Sequence, residues 1–108
     1  MNIDLVEIER KKSELFFNIV NKDNNDVVGI LFTVENHIAY EVYEKYRNQG
    51  IATDALKQIT GKIDRPILEI KYDNMASKAV ALKAGYSLVR RETSYDIYEI
   101  SIDKGKSR

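Results

Sequence analysis

The residues most suited to chemistry form a short polar loop behind two small side chains. In Arg47-Asn48-Gln49-Gly50-Ile51-Ala52-Thr53, a cation precedes Gly50 and Ala52 where a β-run, Tyr40-Glu41-Val42, gives way to a helical pattern. The first N–H groups of a helix have no intrahelical partner, and the helix dipole favours negative charge beside them. Small residues let an anion come close to the backbone. The chemical reading is a cradle for a phosphate or pyrophosphate, with Arg47 as its basic neighbour. Spacing alone favours a plain helix entry, since many strand–loop–helix turns contain glycine.

The elements that must position this loop follow from hydrophobic period. Ile3, Leu5 and Ile8 suggest a first strand, Arg10-Lys11-Lys12 a polar turn, and Leu15–Val20, rich in aromatic and branched residues, a second strand. Asn21–Asp26 is a turn cluster. Val27–Val34 is apolar almost throughout, which predicts a strand buried on both faces. Glu35-Asn36-His37 turns the chain into a strand over Ile38–Val42, leaving His37 a loop histidine. After the loop, Ala52, Ala55, Leu56, Ile59 and Ile63 share one helix face, with Gly61 and Pro66 ending the run. Ile67–Tyr72 is a strand, and Asp73-Asn74 caps a second helix whose Ala76, Ala79, Val80 and Ala84 suit close packing on a sheet. Gly85 stops it, and Tyr86–Arg91 and Tyr95–Ile102 are strands. The fold class is α+β: a mixed, mainly antiparallel sheet carrying helices. Residues 1–103 form one domain and 104–108 a polar tail.

Composition narrows the function. The chain has 108 residues, 44% apolar and 31% charged, with net charge +0. That suits one globular domain and supplies no basic field for nucleic acid. Without cysteine it has no disulfide frame, thiolate nucleophile or cysteine metal site, and His37, its one histidine, cannot build a histidine metal cluster. No apolar run spans a membrane, and Met1-Asn2-Ile3-Asp4 lacks a signal-peptide pattern, so a cytoplasmic location is expected. Gly105-Lys106-Ser107 mimics the end of a P-loop, but Ile100 stands where that motif needs glycine. Gly50-x-Ala52-x-x-Ala55 could pass for a dinucleotide fingerprint, yet the meander before it is not a Rossmann unit.

Two separated segments resemble one family. Arg47-Asn48-Gln49-Gly50-Ile51-Ala52 fits the Gln/Arg-x-x-Gly-x-Gly/Ala motif of the GCN5-related N-acetyltransferases (GNAT), and it follows a Tyr-x-Val strand as it does there. Asn74-Met75-Ala76-Ser77 through Lys83-Ala84-Gly85-Tyr86 is similar to that family's Asn-x-x-Ser … Lys-x-Gly-Phe/Tyr segment. The resemblance covers roughly residues 13 to 102 and is nearest in flavour to ribosomal-protein N-terminal acetyltransferases. It implies a three-layer α/β/α acyltransferase fold that uses acetyl-CoA and acetylates a primary amine, either a protein N-terminus or a small amine. The amides of Arg47 to Thr53 would hold the pyrophosphate. Tyr40 and Val42 would offer main-chain groups to the pantetheine arm, with Asn74 and Ser77 beside it. Glu69 matches a glutamate that some ribosomal-type members use as the base. Other members place a base where this chain has Asn36 and Ile38, flanking His37.

The sequence departs from the family pattern in two places. Ala81 stands where the usual acid, a tyrosine, would be, and Tyr72, Tyr86 and Tyr95 are only neighbours in sequence, so no acid is assigned. Residues 10 to 14 also leave no room for the family's first two helices, which build much of the acceptor pocket. A second chain, as in a homodimer, could complete it; a non-catalytic acyl-CoA-binding module is the alternative.

Overall fold

The computed structural model describes residues 1–100. The expected strand end at Ser101 and Ile102, the boundary after residue 103, the tail and the Gly105-Lys106-Ser107 mimic lie outside them. Strands β1 (Ile3–Lys11), β2 (Glu14–Asn21), β3 (Val27–Val34) and β4 (His37–Val42) form an antiparallel meander. Helix α1 (Ile51–Thr60), β5 (Ile67–Lys71), α2 (Met75–Lys83), β6 (Tyr86–Arg91) and β7 (Tyr95–Ile100) follow. The strands make one seven-stranded sheet in the order β1-β2-β3-β4-β5-β7-β6. The β1–β2 connection is the two residues Lys12 and Ser13, because Arg10 and Lys11 extend the ladder opposite Leu15 and Glu14 instead of turning. The turn therefore has no room for intervening helices, as the sequence indicates.

Both helices pack on the same face of the sheet. Ile51, Ala55, Leu56 and Ile59 of α1, with Ala81 of α2, share one core with Leu5, Ile19, Leu31, Ile38, Leu68 and Tyr98. Each large side chain buried there contributes about 1.5–3 kcal/mol. Period-2 alternation puts Phe16, Phe32, Ala39, Glu69 and Ile97 on the opposite face, outside that core. Phe16 and Phe32 stack there at 5.8 Å. Among the described residues no helix covers this second face. This corrects the reading of β3 as buried on both faces: Leu31 and Thr33 are buried, whereas Ile30 and Phe32 are half-buried and Val34 is exposed. An apolar run reports hydrophobicity, and the helices decide which side is covered.

Other local departures have simple causes. α1 ends at Thr60, with Gly61 as its C-cap, so Ile63 follows the helical spacing but packs on the core from a loop. Tyr72 lies beyond β5 and is exposed. His37 is the first residue of β4, paired with Val34, and not part of the preceding turn.

Gly29 fixes how closely β3 approaches β4. A Cβ there would collide with the Glu41 carbonyl oxygen and stand 3.0 Å from the Val42 Cα. Backbone atoms yield poorly, so Gly29→Ala is expected to cost about 1–3 kcal/mol. In a domain of this size each kcal/mol lowers Tm by roughly 4–8 °C. Thermal unfolding followed by circular dichroism checks this, and an unchanged Tm would contradict the packing described.

Candidate functional site

Strands β4 and β5 run parallel but share a single ladder position, His37 with Ile67. It is backed by Ile67 N–H to the Asn36 carbonyl at 2.8 Å and by Asn36 Nδ2 to the Arg65 carbonyl at 2.7 Å. Past this point the strands separate. The β4 backbone groups that face the gap therefore lack a strand partner and can bond an inserted ligand.

At the wide end of the gap lies the loop into α1. A short 3-10 turn, Glu44–Tyr46, leads to Arg47, whose Nε donates to the Val42 carbonyl at 2.9 Å. Its Nη2 lies 3.8 Å from a Glu41 carboxylate oxygen. The guanidinium thus ties the loop back to β4, and an exposed carboxylate shares it. Asn48 and Gly50 both take positive φ, 65° and 78°. Gly50 is the N-cap of α1 and offers no side-chain cap. The first helical bond comes from Asp54 N–H to the Gly50 carbonyl at 3.1 Å, so the amides before it have no helical acceptor. A Cβ on Gly50 would meet nothing within 4 Å, because that side of the residue is open. Uncapped donors, a helix dipole and open space are together the features that suit an anion.

The loop opens into a cleft of about 700 Å³. Every residue expected to hold the cofactor lines it except Gln49. A second hollow of about 300 Å³ continues between β4 and β5, with Glu69 and Tyr95 in its wall. Tyr40, Asn74 and Ser77 border both. The cleft lies on the helix-covered side, and the smaller hollow has Glu69, on the uncovered face, in its wall.

Helix α2 forms the far wall. Asn74 caps it by accepting from the Ser77 N–H at 3.1 Å, as the capping pattern indicates. Ala76 and Ala79 line the cleft, while Ala81 and Ala84 make the buried contact. The small-residue face expected to pack on the sheet is thus divided, and half of it keeps the cleft wide. Lys83, one turn after Ala79, adds a cleft-lining cation that the sequence reading missed; only the i, i+3, i+7 spacing of Ala76, Ala79 and Lys83 marks it. A buried ion pair anchors this helix: Lys78 Nζ lies 2.8 Å from Asp96 Oδ2 and donates to the Tyr72 carbonyl. The pair fixes the helix that carries Asn74 and Ser77.

Glu69 and Tyr40, both ionisable, line the smaller hollow. His37 Nε2 lies 3.7 Å from Glu69 Oε2, because both side chains stand on the uncovered face of adjacent strands. The Tyr40 phenol is pushed up from its ordinary pKa by burial, and a hydrogen bond with Ser77 draws it partly back. Ala81 is fully buried and presents nothing to the cleft.

This architecture is the GNAT acyltransferase fold. The GNAT domain of S. lividans PAT superposes with a TM-score of 0.71 at 16% identity, covering 82% of this chain and 60% of that one. The microcin C7 self-immunity acetyltransferase MccE, solved with acetyl-CoA and AMP, matches at 0.67 with 22% identity, covering 84% and 62%. Spermidine N-acetyltransferase from Vibrio cholerae, solved with CoA and spermine, matches at 0.67 with 9% identity, covering 82% and 64%. The chain thus spans between 60% and 64% of the length of these structures. No protein-family model and no curated protein matches the sequence.

Proposed function

We propose that the protein is an acetyl-CoA-dependent N-acetyltransferase that moves an acetyl group to a primary amine, a protein N-terminus or a small amine, in the cytoplasm. One observation carries the reading: a cleft at an uncapped helix N-terminus and a hollow in the split between parallel strands share Tyr40, Asn74 and Ser77 in their walls, and the second has a carboxylate, Glu69, in its lining. The presence of acetyl-CoA or CoA in the MccE and spermidine N-acetyltransferase structures supports it. The amides from Arg47 to Thr53 hold the pyrophosphate. The backbone of Tyr40–Val42 and the side chains of Asn74 and Ser77 hold the arm. Bound there, acetyl-CoA supplies an activated thioester. Glu69, directly or through water, takes the ammonium proton so that the amine can attack. The unpaired β4 backbone donors would stabilise negative charge on the thioester carbonyl oxygen.

The uncovered sheet face motivates a further part of the proposal. An acceptor approaching Glu69 meets few walls, which forfeits much of the rate advantage of positioning. We infer that a second copy of the chain covers this side as a homodimer, symmetric pairing being the commonest oligomer. The same openness, with Ala81 in place of an acid, favours the alternative of a non-catalytic acyl-CoA-binding module. Acetyl-CoA consumption against a panel of amines and amino-terminal peptides tests these readings, run beside light scattering at several concentrations. Turnover by a dimer is the expected result. A strict monomer with brisk turnover of a small amine refutes the dimer, and a monomer that binds acetyl-CoA but acetylates nothing is the binding module.

A further inference from the structure

Aminolysis of a thioester releases a thiolate that must be protonated, and the usual donor position is filled here by the buried Ala81. The polar groups bordering both the cleft and the smaller hollow are those of Tyr40, Asn74 and Ser77. An amide does not give up a proton in this range, and an aliphatic hydroxyl is a weaker acid than a phenol. Tyr95 and Lys71 border the smaller hollow alone and are exposed to solvent. We propose that Tyr40, which lines both the cleft and the smaller hollow beside Ser77 of α2, is the proton donor to the departing sulfur, a role that rests on the acetyl-CoA reading above.

The position suits the task. Tyr40 lies on the helix-covered face and Glu69 on the opposite one, so a thioester threaded through the split has the base on one side and the phenol on the other. The amine nitrogen bonds to the carbonyl carbon and gives its proton towards Glu69. The C–S bond breaks, the sulfur keeps the electron pair, and the Tyr40 hydroxyl delivers its proton to it. The phenolate regains a proton from water. An acid paired with an amine substrate must stay protonated at the alkaline pH where the amine is free base. Burial of Tyr40 favours that state.

The test uses coenzyme A itself, labelled with ¹³C at the carbon bearing the thiol, with wild-type and Tyr40→Phe protein. The substitution removes one oxygen and keeps the ring that packs on the core. A phenol donating to the sulfur stabilises the thiolate. In saturated wild-type protein the bound thiol is therefore expected to ionise about 1–2 pH units lower than in Tyr40→Phe, the size of a hydrogen bond to a charged group. Affinity for coenzyme A at neutral pH is expected to be little changed. Superimposable titrations in the two saturated proteins overturn the proposal while leaving the cofactor reading intact. Loss of coenzyme A binding in Tyr40→Phe alone also overturns it, making Tyr40 an anchor. Wild-type protein that binds no coenzyme A removes the acetyl-CoA reading and this role together.

Discussion

Gly50→Glu is expected to yield a folded protein that has lost coenzyme A binding. The residue sits at φ 78°, so any side chain there is strained. Its Cβ would nevertheless meet nothing within 4 Å, and the fold has no clash to relieve. The new carboxylate projects into the space proposed for the pyrophosphate. It can accept from the same uncapped amides of α1, as acidic N-cap residues do, and it repels a phosphate arriving there. Losing two charge-assisted hydrogen bonds at about 1.5–3 kcal/mol each weakens binding by about 10²-fold or more. Gly50→Ala adds the strain without the charge and is the control, with affinity expected to be far closer to wild type. Calorimetry with coenzyme A beside thermal unfolding separates lost binding from lost fold. A Gly50→Glu protein that binds as wild type would mean the anion site is not at this helix.

Glu69→Gln is expected to reduce acetyl transfer about 10²–10⁴-fold while leaving coenzyme A affinity unchanged. The side chain stands on the uncovered face in the wall of the smaller hollow, away from the phosphate cradle. Glutamine keeps its shape and removes its basicity. The deficit should narrow at alkaline pH, where the acceptor amine loses its proton without help. Once an acceptor is in hand, steady-state rates across pH measure this. A full rate at every pH would place the base elsewhere, the neighbouring His37 being the first candidate at 3.7 Å.

What could be read from the sequence was local. The cradle is a contiguous run in which Gly50, Ala52 and the strand before them act over a few residues, and Asn74 caps a helix three residues ahead. Both were legible because their partners lie close in sequence. The relation of His37 to Glu69 was not, since it depends on β4 and β5 pairing at one position across an intervening helix. The facing of α2 was obscured for another reason. Alanine fills both its cleft side and its sheet side, so no apolar stripe tells Ala76 and Ala79 from Ala81 and Ala84. The apolar run of β3 predicted cover on both faces, and only the placement of α1 and α2 together on one side shows otherwise. The role proposed for Tyr40 was hidden by the same non-locality, because Ser77, which lines the same two hollows, lies on a helix distant in sequence.

The most direct test of the central claim, that backbone amides at the start of α1 hold coenzyme A, is a titration of ¹⁵N-labelled protein with coenzyme A followed by amide NMR. The account predicts that the largest shifts fall on Gly50, Ile51, Ala52 and Thr53, with smaller ones at Tyr40, Asn74 and Ser77 along the arm. Amides of Gly50 to Thr53 that stay in place at millimolar ligand, or shifts confined to another surface, would contradict it.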